Sequence, residues 1–149
     1  MKIFDLLKRD HKKVTGIFDK IEDTTVRAVK TREKLFGQLK EELQVHTEVE
    51  ERVFYPALQE YDETRDLIKE ARVEHEKVEN LLKQIEAVAR DSRDFNNLIA
   101  ELKREVKQHV KEEENEIFPK AKNILDENQI EQLGAQAEDE KEEIMAFHE

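Results

Sequence analysis

An all-α fold, an antiparallel up-down-up-down four-helix bundle followed by a short fifth helix, is predicted by three observations. Apolar residues recur at spacings of three and four through four long stretches, the period of a helix that buries one stripe. Only three Gly and two Pro interrupt 149 residues, and no run alternates in the period of a strand. The chain also repeats itself: Asp10-His11-Lys12-Lys13-Val14 matches Glu74-His75-Glu76-Lys77-Val78, and His46 through Pro56 matches His109 through Pro119, at offsets of 64 and 63. A duplicated helical hairpin accounts for both matches. Residues 1–125 are therefore expected to form the bundle, in halves of about 1–62 and 63–125, with 126–149 as an appended C-terminal helix.

The first helix is expected from about residue 2 to Ile21, with the stripe Phe4, Leu7, His11, Val14, Phe18 and Ile21. Asp23-Thr24-Thr25 offers turn and N-cap chemistry, and Thr31 is a second candidate start for the next helix. That helix carries Leu35, Leu39, Leu43, His46, Glu50, Val53 and Ala57 on one face, and Pro56 should kink or end it because proline lacks an amide hydrogen. The third begins near Glu63 and buries Ile68, Ala71, His75, Val78, Leu82, Ile85 and Ala89. Asp91-Ser92 ends it and caps the fourth, whose stripe reads Leu98, Leu102, Val106, His109, Glu113, Ile117 and Ala121. Asp126 can cap a short fifth helix, broken by Gly134 and a charged run, that packs outside the bundle or frays.

Composition excludes several classes of function. A net charge of −11 argues against a nucleic-acid partner, since phosphate binding needs a basic patch. The absence of Cys removes disulfides, thiolate metal sites and cysteine nucleophiles. No apolar run reaches the length of a membrane span and the N-terminus meets charge early, so a cytoplasmic protein is expected.

Four of the five His and two Glu fall at positions where the pattern calls for apolar residues. In each copy His-x-x-x-Glu puts an imidazole and a carboxylate on one helix face, and each half adds one lone His. An ionised Glu50 or Glu113 buried without a partner would cost several kcal/mol, and no Lys or Arg occupies the neighbouring seam positions. One or two divalent cations would satisfy charge and imidazoles together. Mixed imidazole and carboxylate ligation in a bundle favours two iron ions over zinc, which is usually content with four ligands. The predicted ligands are His11, His46, Glu50, His75, His109 and Glu113. Glu50 and Glu113 are expected to bridge, with His11 and His46 on one metal and His75 and His109 on the other.

In this order of lone His and His-x-x-x-Glu, twice over, with Phe54-Tyr55-Pro56 and Ile117-Phe118-Pro119 after the pairs, residues 1 to 125 resemble the hemerythrin-like His-His-Glu (HHE) cation-binding family. The resemblance implies a non-haem di-iron site with an oxo or hydroxo bridge that binds dioxygen or a related small molecule such as peroxide or nitric oxide. The oxygen-carrying members have a second His four residues after the third-helix His and end in His-x-x-x-x-Asp. Here those features are Glu79 and His109-x-x-x-Glu113, which weighs against reversible carriage. Two other readings stand beside binding or sensing: a di-iron enzyme acting on peroxide or nitric oxide or in iron-centre repair, and a metal-free structural bundle. Glu51 and Glu114 are expected at the surface or orienting imidazoles, Tyr55 with its hydroxyl outward rather than bonded to a bound ligand, Glu79 in solvent rather than as a substitute ligand, and His148 in solvent.

Overall fold

The computed structural model describes residues 1–148, the last of them by its backbone alone. The solvent position expected for the His148 side chain lies outside the described residues. The chain is all-helical, with no strand among the described residues. α1 spans Ile3–Glu22 and α2 spans Val29–Val49. A π turn at Glu50–Phe54 continues α2 into α3, Tyr55–Leu58. α4 spans Arg65–Glu86 and α5 spans Arg93–Glu112; a second π turn at Glu113–Ile117 leads into α6, Phe118–Ile124, and α7 spans Glu127–His148. α1 packs on α2, α4 on α5, and α7 lies against α1, α2 and the first π turn. No described helix is long and apolar enough to cross a membrane.

Two expected caps are present. Ser92 Oγ accepts the Phe95 amide at 3.1 Å. Asp126 Oδ1 accepts the Gln129 amide at 2.8 Å while Gln129 Oε1 accepts the Asp126 amide at 2.9 Å, a reciprocal box. The expected starts of α2 at Thr24–Thr25 or Thr31 are corrected: α2 begins after Ala28, with no side-chain cap. The connection is tied instead by buried Arg32, whose Nε donates to Thr24 Oγ1 at 2.9 Å and whose Nη1 donates to the Arg90 carbonyl at 2.8 Å. A cation that reaches across two connections fixes the loop without a local cap.

Neither Pro56 nor Pro119 ends its helix. Immediately before each, the amides of Tyr55 and Phe118 bond the carbonyls of Glu50 and Glu113, five residues back. One extra residue widens the turn, so the proline ring and its missing donor are accommodated. The insertion also brings consecutive side chains inward: Phe54 and Tyr55 are both fully buried.

The fifth helix, expected to be short and either packed outside the bundle or frayed, is 22 residues long and packed, with Ile130, Ala137 and Ile144 buried. Gly134 does not break it. A Cβ there would stand 1.9 Å from the Met1 carbonyl oxygen and 3.0 Å from the Ile3 amide nitrogen, so glycine is what lets α7 approach the start of α1.

The core falls into two apolar clusters. One gathers Phe4, Leu7, Phe54, Ile68 and Phe118 with the buried residues of α7. The other gathers Val14, Phe18, Phe36, Val78, Leu82, Phe95 and Val106. His11 lies between Leu7 and Val14 on α1, and His75 between Ala71 and Val78 on α4, so the polar residues form a layer between the two.

Candidate metal centre

All six predicted site residues are buried, and the helices bring them together: Glu50 and Glu113 are 0% exposed and each of the four His is 6% exposed. Donor atoms of His11, His46, Glu50 and Glu113 converge in one group and those of Glu50, His75 and His109 in another, each able to hold a metal ion. Glu50 is common to both. The imidazoles divide between the groups as the repeat predicts.

The Nε2 atoms face inward. His11 Nε2 stands 3.1 Å from Glu113 Oε1, and His46 Nε2 and His75 Nε2 each stand 3.1 Å from Glu50 Oε1. His75 Nε2 and His109 Nε2 are 3.2 Å apart. Four buried atoms in this centre, His11 Nε2, His46 Nε2, Glu50 Oε2 and Glu113 Oε1, have no hydrogen-bond partner. Orphaned buried donors and acceptors of this kind are rare in folded proteins, and a cation bound among them would satisfy them. The donor set therefore fits a metal.

The Nδ1 atoms face outward, and each meets a carboxylate. His11 pairs with Glu114 at 2.6 Å, His46 with Asp10 at 3.1 Å, His75 with Glu51 at 2.9 Å and His109 with Glu74 at 2.7 Å. A carboxylate that accepts Nδ1–H leaves the Nε2 lone pair for a ligand and fixes the ring's orientation. The pattern obeys the duplication. The residue before each lone His serves the second His of its own half, and the residue after each site Glu serves the lone His of the other half. Glu51 and Glu114 meet the expectation that they orient imidazoles. Asp10 and Glu74 were not predicted, although the signal was present, since both repeats place an acid directly before the lone His.

Tyr55 is a correction. Expected outward, its hydroxyl lies inside the cluster, donating to Glu113 Oε2 at 2.9 Å and standing 3.2 Å from His75 Nε2, 3.4 Å from His109 Nε2 and 3.4 Å from Glu50 Oε1. The π turn is the cause, because the extra residue rotates position 55 inward. Glu79, expected in solvent, is half-buried, accepts a hydrogen bond from Gln44 Nε2 at 3.2 Å and belongs to neither donor group.

The electrostatics are those of a strongly anionic pocket. Burial disfavours the His46 imidazolium, but the Glu50 charge and hydrogen bonds to Asp10 and Glu50 outweigh it and push its pKa up to about 10. His75 and His109 are raised for the same balance of reasons, His109 well above its ordinary value. Burial raises Glu50, yet the facing imidazoles, His46 foremost, hold it well below the usual carboxylate range. Tyr55 is pushed well above its ordinary value by burial and by Glu113 and Glu50. It remains a neutral donor.

Beside the imidazoles a small cavity of about 20 Å³ opens between Val14, Leu43, Thr47, Val78, Val106 and Val110. That volume admits about one water-sized molecule, and its walls are almost wholly apolar. A roomier cleft of about 570 Å³, bordered by Thr24, Arg32 and Asn96, contains none of the six site residues.

This fold and centre define a class: helical proteins that bury a paired imidazole–carboxylate cluster able to hold cations. The chain belongs to the hemerythrin HHE cation-binding domain family, whose model matches residues 2–121. It is 29% identical over 144 residues to a DNA nickase of Nostoc sp., covering 97% of this chain and 40% of that protein. It is 26% identical over 130 residues to an uncharacterised hemerythrin-like protein of Schizosaccharomyces pombe, covering 86% of this chain and 63% of that one. The chain thus spans less than two thirds of either relative. Its fold is shared with the crystal structure of a hemerythrin HHE cation-binding domain-containing protein of Mycobacterium kansasii, with a TM-score of 0.82, 23% identity, and coverage of 98% of this chain and 91% of that chain.

Proposed function

We propose that the chain is a di-iron protein, its helices in up-down-up-down order, that binds or senses dioxygen or a related small molecule such as peroxide or nitric oxide. His11, His46, Glu50 and Glu113 hold one ion in this reading, and Glu50, His75 and His109 hold the other. The observation that carries it is the polarity of the four imidazoles, each held by a carboxylate at Nδ1 and turned by Nε2 toward Glu50 and Glu113, where Glu50 Oε2, Glu113 Oε1 and the Nε2 atoms of His11 and His46 have no hydrogen-bond partner. Charge supports the count of two. Six carboxylates, Asp10, Glu50, Glu51, Glu74, Glu113 and Glu114, meet two cationic side chains, Lys141 on Asp10 and Arg72 near Glu51. Two divalent ions would neutralise the difference when the imidazoles are neutral. In the metal-free protein the raised pKa values of His46, His75 and His109 favour protons in that role.

Two iron ions would supply redox chemistry and open coordination positions for a small ligand. The protein's contribution is to orient the imidazoles, balance charge and exclude bulk water, and the apolar cavity of about 20 Å³ limits the ligand to a molecule of a few atoms. The net charge of −11 supports a function without nucleic acid. The name of the Nostoc protein describes a chain of which the match covers 40%. A cytoplasmic setting belongs to the same proposal, since no cysteine calls for an oxidising compartment.

A second reading, turnover of peroxide or nitric oxide, is favoured by Tyr55, whose neutral phenol places a hydrogen-bond donor inside the centre, 2.9 Å from Glu113 Oε2. Anaerobic loading with ferrous iron followed by air tests both readings. New near-ultraviolet and visible bands that His75→Ala removes support an oxygen-reactive centre. Bands that reverse on deoxygenation indicate binding, and consumption of added peroxide that Tyr55→Phe slows indicates turnover. Failure to retain any metal would leave the metal-free bundle as the account, and one tightly held zinc without spectral change would overturn the oxygen reading.

A further inference from the structure

The four carboxylates behind the imidazoles obey the duplication, but their surroundings do not. Asp10 and Glu74 are equivalent, each preceding a lone His and each bonded to the second His of its half. Glu74 has no Lys or Arg within 4 Å among the described residues and instead gathers with Glu70 and Glu112. Asp10 is 1% exposed, and its Oδ1 receives Lys141 Nζ at 2.7 Å. Lys141 comes from α7, beyond the residues that the family model matches.

We propose that Lys141 is a positioning residue for His46: it holds the Asp10 carboxylate so that His46 presents Nε2 to the cation position shared with His11. This rests on the two-cation reading of the centre. Aspartate is one methylene shorter than the glutamate at the equivalent position, and its 3.1 Å bond to His46 Nδ1 is the longest of the four such bonds. With Oδ1 fixed by Lys141, Oδ2 is left facing His46 Nδ1. Without the ammonium, a carboxylate with almost no contact with water would keep only its bond to His46, and Oδ1 would be left buried without a partner. The lysine stem is itself nearly covered, with 13% of its side chain exposed. The inference makes the two halves unequal, because the His11/His46 position depends on α7 and the His75/His109 position does not.

The test is anaerobic cobalt(II) titration of the full chain, followed by absorption, for wild type, Lys141→Met, Lys141→Arg and Glu138→Gln. Glu138 pairs with the N-terminus and so anchors α7 without touching Asp10. Loss of an outer hydrogen-bond partner weakens a metal site by about 10–100-fold. Lys141→Met should therefore weaken one of the two positions about tenfold and spare the other, with Lys141→Arg restoring it and Glu138→Gln leaving both unchanged. Nitrogen-15 shifts in the metal-free protein should move for the His46 imidazole and stay fixed for His109. Should Lys141→Met fail to fold, Asp10→Asn must weaken the same single position. Wild-type affinity at both positions in Lys141→Met, equal loss at both, or an equal effect of Glu138→Gln would overturn the proposal. A wild type that binds fewer than two cobalt ions would instead overturn the two-cation reading on which it rests.

Discussion

Replacing Tyr55 by Phe removes one oxygen atom and leaves the packing in place. The ring lies 5.3 Å from the His75 ring at an interplanar angle of 23°, and the Arg72 guanidinium sits 5.7 Å from its centroid; a phenylalanine keeps both contacts. What disappears is the 2.9 Å bond to Glu113 and the oxygen that faces His75 and His109. A hydrogen bond to a charged group contributes about 1.5–3 kcal/mol net, and removing one partner leaves the other buried and unsatisfied. Metal-free Tyr55→Phe should thus be less stable by about 2 kcal/mol. At about 2–4 °C per kcal/mol for a domain of this size, its Tm should fall by about 4–8 °C. Urea and thermal denaturation of chelator-treated protein, with m unchanged, provide the measurement. A variant as stable as wild type, or more stable, would refute the placement of the hydroxyl in the cluster.

Two further predictions concern the metal-free centre and the docking of α7. Because His46, His75 and His109 are raised in the folded state, their contribution to metal-free stability is fully present below the unfolded value of about 6.5 and is lost as pH climbs through the folded values, about 10 for His46. Metal-free stability should therefore decline from pH 6.5 to 10 in urea titrations, and a flat profile would contradict the raised values. Gly134→Ala would gain helix propensity at a solvent-facing site, but here the added Cβ meets the Met1 carbonyl at 1.9 Å. We expect a net loss of about 1–3 kcal/mol, the usual range for overpacking, with earlier proteolysis within α7. A stabilised variant would show that α7 does not approach the start of α1 so closely.

The helices and the six site residues were legible in the sequence because duplication printed the same polar interruptions twice in an otherwise apolar stripe. The Ser92 and Asp126 caps were legible because they are local chemistry. Tyr55 was misplaced because a regular 3.6-residue period was carried through Glu50–Phe54, where the chain takes a π turn; the recurrence of Pro six residues after each site Glu was the available sign. Asp10 and Glu74 escaped because an acid beside a lone His on a charge-rich helix looks like a solvated residue, and only the packing of α2 and α5 shows what it faces. α7 read as short because Gly134 looked like a break. Its purpose, close approach to the first residues of the chain, lies in a contact between opposite ends of the sequence.

The central claim, that the buried cluster holds two cations, is tested most directly by native mass spectrometry of the chain loaded anaerobically with ferrous iron. The wild type should carry two irons. Glu50→Ala, which removes the residue common to both donor groups, should carry at most one, while its apolar core keeps it helical by circular dichroism. A wild type that carries none, or a folded Glu50→Ala that still carries two, would contradict the account.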